Sequence, residues 1–164
     1  MATTIKNHKL LGGFVYRRQI GDWEYGRLLP PSGVVVKDVH QAYRVSRLKW
    51  LSLRKLVNEG EVEDTAKDFC DGGGDTCGFC MLYRSGTELT ADCMGCPISI
   101  ITGDPYCLGS PYPAALFAID QFITGDRAYK DAVLRVIDEE IKFLRSTYIA
   151  YCKEYNLIPK ENTA

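Results

Sequence analysis

Histidine is scarce in this sequence of 164 residues, which has only His8 and His40. Both lie outside the segment 70–107, which holds six of the seven cysteines. A Cys–His nucleophile pair and a zinc site built on histidine are therefore poorly supported. No other hydrolytic constellation stands out and no small-molecule substrate is evident, so we expect a protein without enzymatic activity.

Long apolar runs are also lacking. No segment approaches the roughly 18 apolar residues that a membrane-spanning helix needs. The apolar run at 10–15 is too short for the core of a secretory signal. We expect a cytoplasmic protein with no membrane partner. Thiols stay reduced in that compartment, so clustered cysteines favour metal ligation over disulfide bonds.

The composition is that of an ordinary globular protein, with 46% hydrophobic and 25% charged residues. The sequence predicts a single small domain over 1–164 of the mostly α (α+β) class, helical with a short β element near the N-terminus and a cysteine-bound zinc centre. Its segments are a β-rich lead-in at 10–36, a basic amphipathic helix at 37–60, a cysteine region at 70–112 and a helical pair at 113–156.

Four cysteines form two C-x2-C pairs, Cys77 with Cys80 and Cys93 with Cys96, separated by twelve residues. Each pair brings two sulfur atoms about one ion's width apart, and two pairs complete a tetrahedron of the kind that structural zinc prefers. The sequence CGFCMLYR after residue 76 is typical of a helix that carries its thiolates at the amino end. Buried free cysteines are the alternative, and we assign that role to Cys152, on an apolar stripe.

The ligand set stays open at this point. Cys107 or Cys70 can replace one of the four, or lie beside them without binding the ion. Six cysteines also suffice for an iron–sulfur cluster, which needs four. The CGFC pair is compatible with thioredoxin-like redox chemistry, but that fold places a strand before the motif, where this chain has a glycine run.

Charge is distributed unevenly along the chain. Residues 1–58 carry eleven Lys and Arg against three Asp and Glu, a balance of +8, and residues 59–164 carry nine against eighteen, a balance of −9. Either the two parts attract each other within one fold, or a basic face is offered to an anionic partner.

The predicted helix at 37–60 gathers much of the positive charge on one face. With 100° per residue, a cationic stripe forms opposite the apolar face. Leu48 and Leu51 lie in or beside this stripe, and His40 within it is interpreted as a surface residue. The alternatives are a core helix with a solvated charged face, contact with nucleic acid, and contact with an acidic host protein. The candidate binding residues of this cationic stripe are Lys37, Arg44, Arg47, Arg54 and Lys55.

The cysteine block resembles that of small uncharacterised proteins of tailed phages and related viruses. The shared pattern is C-x2-C, then C-x2-C-P-I, then T-G-x-x-Y-C-x-G-x-P-Y. The matching residues are Cys77, Cys80, Cys93, Cys96, Pro97, Ile98, Thr102, Gly103, Tyr106, Cys107, Gly109, Pro111 and Tyr112. The resemblance implies a viral accessory protein in the host cytoplasm and favours Cys107 over Cys70 as a ligand, but it carries over no activity.

The function predicted from the sequence is that of a non-enzymatic, zinc-braced binding protein that contacts nucleic acid or a host protein. The first alternative is a protein-only inhibitor or adaptor of a host defence factor. The second alternative is an iron–sulfur or redox protein.

Overall fold

The structure is a computed structural model, and it is mostly helical. It describes residues 4–9, 13–20, 25–29, 33–59, 77–83, 93, 95–105, 107–124 and 127–160. The described part contains a small sheet, followed by a long helix, two short helices and a pair of helices at the carboxyl end.

The sheet has three antiparallel strands in sequential order. They are β1 (Thr4–Lys9), β2 (Val15–Ile20) and β3 (Tyr25–Leu29). Thr4 lies opposite Ile20 in the first pair, and Val15 lies opposite Leu29 in the second. Phe14, directly before β2, is fully buried in the hydrophobic core. The chain leading into β2 is therefore anchored to the helical part of the molecule.

Helix α1 spans Val39–Asn58, within the segment where the sequence predicts a basic amphipathic helix. Asp38 caps its amino end, where the carboxylate accepts a hydrogen bond of 2.8 Å from the Gln41 backbone N–H. Its buried face includes Ala42, Leu53 and Leu56, which have almost no exposed surface. This face gives α1 two neighbours, the short helix α2 (Gly78–Tyr83) and the long helix α5 (Lys130–Glu154).

Helix α5 is the main support of α1. The two helices meet partly through aromatic stacking, since the rings of Tyr43 and Tyr148 are nearly parallel with centroids 4.2 Å apart. The buried side chains of α5 recur at spacings of three and four residues, as an amphipathic helix requires. They are Val133, Ile137, Glu140, Leu144, Thr147, Tyr148 and Cys152.

Two further helices complete the core. Helix α3 spans Pro97–Thr102 and contacts α5, as does helix α4, which spans Tyr112–Thr124. A single 3-10 turn at Arg127–Tyr129 precedes α5. The short helices α2 and α3 thus lie on the long ones, and their amino ends carry cysteines.

His40 is not the surface residue that the sequence interpretation assigns. Its side chain is half-buried, and Nδ1 lies 2.6 Å from the Tyr148 hydroxyl in a shared hydrogen bond. The same hydroxyl accepts a hydrogen bond of 2.8 Å from the Lys160 backbone N–H. The prediction is wrong because the periodicity of α1 contains no information about Tyr148 or about the segment after α5, which folds back towards the Tyr148 hydroxyl that His40 contacts.

None of the helices in the described ranges is both long enough and apolar enough to cross a membrane.

The buried face of α5 should contribute strongly to stability. Leu144 is almost fully buried, so Leu144→Ala should lower the free energy of unfolding by about 2–5 kcal/mol through lost burial and the cavity left behind. Ser146→Ala, at an exposed position of the same helix, is the matched control and should stay within about 0.5 kcal/mol of the wild type. Urea denaturation followed by circular dichroism measures both. Equal stability of the two variants would contradict this packing.

Candidate metal centre

The first cysteine pair lies at the amino end of a helix, as the sequence predicts. Cys77 directly precedes α2 and Cys80 lies in its first turn. The Cys77 carbonyl accepts a hydrogen bond of 2.9 Å from the Met81 backbone N–H, which closes that turn. The helical turn therefore brings the two thiols to one side, beside the positive end of the peptide dipoles.

Gly78, between these two cysteines, allows α2 to approach α1 closely. A β-carbon at this position would overlap the Ala42 carbonyl oxygen and would lie 2.9 Å from Cβ of Val45. Ser46 extends the contact, because its hydroxyl oxygen accepts a hydrogen bond of 3.2 Å from the Phe79 N–H and lies 3.7 Å from Sγ of Cys77. The first thiol pair is thus positioned by direct contact with the middle of α1.

The second pair is held by a turn. The Cys93 carbonyl accepts a hydrogen bond of 3.0 Å from the Cys96 N–H, and Gly95 has a φ of 88°, which glycine adopts readily. Pro97 then begins α3, where its missing N–H has no cost. Cys96 is therefore placed at the amino end of α3, so both pairs have a sulfur at a helix start.

Cys107 reaches the same region from a third direction. Its φ of 63° lies in the left-handed region, which is uncommon for a residue with a β-carbon. Ser110 stabilises this turn, since its hydroxyl donates a hydrogen bond of 2.7 Å and its backbone N–H one of 3.2 Å to the Cys107 carbonyl. Strained positions of this kind are frequent at functional sites.

One small cavity is lined by all five of these thiols. Its empty volume is about 290 Å³, part of which is open to solvent, and its centre has room for roughly one water-sized particle. The remaining lining comes from Phe79, Tyr83, Ile98 and Ser99. The thiols are Cys77, Cys80, Cys93, Cys96 and Cys107, the four predicted ligands and the predicted alternate.

The thiols share this cavity, but their sulfur atoms are not arranged to coordinate an ion. Within the ranges that the structure describes, no three Cys, His, Asp or Glu side chains are already arranged as a metal-binding group. Cys70, the other alternate ligand predicted from the sequence, lies outside the described residues. Cys152 is fully buried in the core and does not line the cavity, which agrees with its predicted role as a core thiol.

The thiols of the first pair titrate very differently. A hydrogen bond with Cys80 lowers the pKa of Cys77 to about 5, against the opposing effect of burial, and the positive charge of Lys49 lowers it further. The pKa of Cys80 is raised, first by its hydrogen bond to Cys77 and then by burial. Of the two thiols, Cys77 is therefore the one whose thiolate the surroundings favour.

Burial has the largest effect on the other two perturbed thiols of the cavity. It raises the pKa of Cys96 to about 11, although the Ile98 and Ser99 N–H groups at the start of α3 favour the thiolate. It also raises the pKa of Cys107, with a further contribution from the charges of neighbouring cysteines. A cation entering the cavity would have to displace protons from these sulfurs.

The cationic stripe lies on the other side of α1, but salt bridges neutralise part of it. Arg54 donates a hydrogen bond of 2.7 Å to Asp138 of α5 in a salt bridge whose two side chains are both partly exposed. Lys55 has a longer ion pair of 3.9 Å with Glu59.

Three cations of the stripe differ from these two. Lys37 and Arg44 are exposed and Arg47 is half-buried. None of these three forms a salt bridge with another residue in the described part of the chain. Within the described part of the chain, the cations of the stripe without a salt bridge therefore lie just before α1 and in its first half.

Sequence reasoning missed two buried charged residues, Lys49 of α1 and Glu140 of α5. A signal existed for each of them. Lys49 falls at about 140° from Arg44 on the helical projection, inside the apolar arc of α1. Glu140 follows Ile137 by three residues and precedes Leu144 by four, and both neighbours are buried. A charged residue within an apolar stripe is a reason to look for a partner.

No known family model, curated protein or solved structure matches this chain. The resemblance of the cysteine block to phage proteins therefore stays a prediction.

The contact at Gly78 generates a specific prediction. Gly78→Ala should destabilise the protein by about 1–3 kcal/mol, because the added methyl group overlaps α1 and pushes the first thiol pair away from it. Ser146→Ala again controls for a substitution on an exposed helix surface. Urea denaturation measures the change. A Gly78→Ala variant as stable as the wild type would show that α2 does not depend on this approach.

Proposed function

We propose that this chain is a non-enzymatic binding protein, braced by a zinc ion in the cysteine cavity, that presents the exposed face of α1 to an anionic partner. One observation carries the proposal. On its buried side helix α1 contacts Gly78 through Ala42 and Val45, and Cys77 through Ser46. On its exposed side it carries the cationic stripe. Bracing the cavity would therefore stabilise the helix that offers the binding surface.

The chemistry of the donors supports zinc. Five thiols line the cavity, and none of its lining residues in the described part of the chain carries an imidazole or a carboxylate. Thiolate sulfur is a soft ligand suited to Zn²⁺ in a closed tetrahedral site. Iron–sulfur ligation by the same residues remains the alternative cofactor, and visible absorbance distinguishes it from colourless zinc.

The proposed partner is nucleic acid or an acidic host protein. Lys37, Arg44 and Arg47 supply the positive charge that either partner would meet. No base-reading motif is present in the sequence, so binding to nucleic acid would depend on phosphates and would be largely independent of sequence. The resemblance of the cysteine block adds the expectation of a viral accessory role.

A protein-only inhibitor or adaptor is the second candidate, and two features of α1 favour it. The salt bridge of Arg54 with Asp138 removes a cation from the surface available to phosphates. Leu48 and Leu51 are half-buried beside the remaining cations. A mixed apolar and cationic surface suits a protein partner better than a nucleic-acid backbone.

The zinc proposal predicts one zinc ion per chain in freshly purified protein. Cys77→Ser and Cys96→Ser should each lose the ion and lower the free energy of unfolding by several kcal/mol, because binding of a structural zinc is coupled to folding. Elemental analysis by mass spectrometry, with a visible spectrum, measures the content. Cys107→Ser should disturb retention more than Cys70→Ser, because Cys107 belongs to the cysteine block that resembles the phage proteins, whereas Cys70 precedes a glycine run in the sequence.

Cys152→Ser is the matched control for these variants. It makes the same substitution at a buried thiol outside the cavity, so it should keep the zinc even where stability falls. Native protein with neither zinc nor iron would refute the metal centre. Iron with visible absorbance would replace zinc by an iron–sulfur cluster.

The cationic stripe predicts salt-dependent binding to DNA or RNA. Wild-type protein should bind labelled oligonucleotides at low salt with a dissociation constant of roughly 1–100 μM. Arg44→Ala with Arg47→Ala should weaken binding and reduce the slope of log affinity against log salt by about 2, because two phosphate contacts are lost. Fluorescence anisotropy at two salt concentrations measures both quantities.

Arg135→Ala, an exposed cation on α5, is the control and should bind like the wild type. Zinc retention in each variant excludes unfolding as the cause of any loss. Absence of wild-type binding at low salt would reject the nucleic-acid partner. Capture of one host protein at high salt, abolished by the same double substitution, would then support the protein-only candidate.

A further inference from the structure

An aromatic pair with an exposed member lies at the carboxyl end of α5. The rings of Tyr151 and Tyr155 contact each other, with centroids 4.5 Å apart and a tilt of 34°. Tyr151 is half-buried, but Tyr155 is 50% exposed, so a large part of its ring is open to solvent. An exposed ring supported by a second one is a surface on which another flat ring can stack.

Helices α1 and α5 run antiparallel, which places this pair near the start of α1. At the start of α5, the Lys130 ammonium group donates a hydrogen bond of 2.8 Å to the carbonyl of Asn58, the last residue of α1. Near the other end, Tyr148 stacks on Tyr43 and shares a hydrogen bond with His40. The carboxyl end of α5 therefore lies beside the amino end of α1.

His40 connects this aromatic end with the cationic stripe, because it lies within the stripe and its ring contacts Tyr148. Tyr155 follows Tyr148 by seven residues, so both emerge from nearly the same face of α5. Tyr148 is fully buried, whereas Tyr155 lies about two turns further along and stays exposed. The exposed ring thus borders the end of the stripe that carries Lys37 and Arg44.

The chain that follows α5 holds this end of the helix in place. Asn156 has a φ of 54°, a left-handed conformation that asparagine tolerates well. The Leu157 N–H then donates a hydrogen bond of 2.7 Å to the Cys152 carbonyl, which closes the helix end. Because Lys160 is also bonded to the α5 side chain Tyr148, the segment lies back along the helix. A ring on such a fixed support loses little freedom on binding.

The charges near the exposed ring favour an anionic partner. Lys37 and Arg44 are exposed and form no salt bridge within the described ranges, and Lys153 is exposed in the last turn of α5. Two acidic residues lie at the same end. Asp38 is engaged in capping α1, and Glu154 is exposed beside the ring. Phosphates would therefore approach from the side of α1, where the free cations lie.

We propose that the anionic partner is single-stranded nucleic acid, in which one base stacks on Tyr155 while Lys37 and Arg44 contact neighbouring phosphates. The inference rests on the proposed function and names the partner class of the same cationic stripe. Single strands present base faces that stack on aromatic rings with little dependence on sequence. A duplex hides these faces between its base pairs, so it would meet the cations alone.

The test uses the entire chain as purified and three fluorescein-labelled probes of about 16 nucleotides, the upper end of the site sizes of single-strand binders. The probes are oligo(dT), a duplex of mixed sequence, and an abasic strand that keeps the phosphates but lacks the bases. Fluorescence anisotropy at two salt concentrations measures affinity and its salt dependence. Binding should be strongest to oligo(dT), because this probe alone combines exposed base faces with phosphates.

Tyr155→Ala should weaken the binding of oligo(dT) by about fivefold to a hundredfold, the loss typical of one stacked base. It should leave the salt dependence and the binding of the abasic strand unchanged, since no charge is removed. Tyr155→Phe keeps the ring and should bind like the wild type. Arg44→Ala should instead reduce the slope of log affinity against log salt by about 0.7, because one phosphate contact is lost.

Tyr129→Ala is the matched control for the stacking ring. Tyr129 is 45% exposed, close to the exposure of Tyr155, but it directly precedes the amino end of α5. A helix of 25 residues is about 37 Å long, so the two rings lie at opposite ends of the molecule's longest helix. This variant should bind oligo(dT) like the wild type. Equal losses in both alanine variants would overturn the assignment of Tyr155.

A second measurement needs no substitution in the protein. Oligo(dT) with 5-iododeoxyuridine in place of thymidine is bound and irradiated, so that the base forms a covalent bond with a stacked aromatic side chain and hydrogen iodide is lost. Mass spectrometry of the digested adduct should locate the crosslink at Tyr155 or at its neighbour Tyr151. Crosslinks confined to other residues would overturn the inference even if Tyr155→Ala fails to fold.

The outcomes distinguish this inference from the proposed function. If the three probes bind equally and Tyr155→Ala changes nothing, stacking is overturned and the cationic stripe stands as a phosphate-binding surface. Stronger binding to the duplex than to oligo(dT) would overturn stacking in the same way. If the wild type binds none of the probes at low salt, both this inference and the nucleic-acid partner are rejected.

Discussion

The close approach of α2 to α1 at Gly78 is the constraint on which the rest of the site depends. A β-carbon there would overlap the Ala42 carbonyl, so the backbones meet with nothing between them. The Ser46 hydroxyl uses that proximity to reach both the Phe79 N–H and the Cys77 sulfur. The first thiol pair is consequently held against α1. Any change in the distance between α1 and α2 would move both thiols.

Helix α1 consequently has two separate surfaces. Its inner side contacts α2 and α5 and carries the buried Lys49. Its outer side carries cations, some of which form salt bridges and some of which are exposed. Arg54 is held by Asp138 on α5, but Lys37 and Arg44 are exposed near the amino end of the helix. The two long helices are thus joined by their core, by a surface salt bridge and by stacked tyrosines.

Local patterns in the sequence were sufficient for some parts of this structure. The spacing of Cys77 and Cys80 with the residues after them indicated a helix with thiols at its amino end, because that geometry depends on adjacent residues alone. The mostly helical character followed from apolar periodicity. The resemblance of the cysteine block favours Cys107 as a ligand, but residue spacing alone does not show that Cys107 lines the cavity. That position depends on the left-handed backbone of Cys107 and on Ser110.

Residues whose role depends on contacts between distant segments were the ones missed. Lys49 lies in the apolar arc of α1, and its ammonium group lies 6.0 Å from the ring centroid of Tyr112, which is far away in the sequence. His40 was assigned to the surface because Tyr148 and the chain after α5 are not visible in the periodicity of α1. Periodicity identifies the face of a helix, but only the fold identifies what covers that face.

The left-handed conformation of Cys107 has a consequence for how this position can vary. Glycine or asparagine would adopt a φ of 63° more easily than cysteine, so the backbone and the cavity favour different residues there. Selection for stability alone would tend to replace the thiol, and selection for a sulfur in the cavity would keep it despite the strain. Opposed pressures of this kind make Cys107 the position at which a library screened for thermal tolerance and one screened for metal retention should diverge.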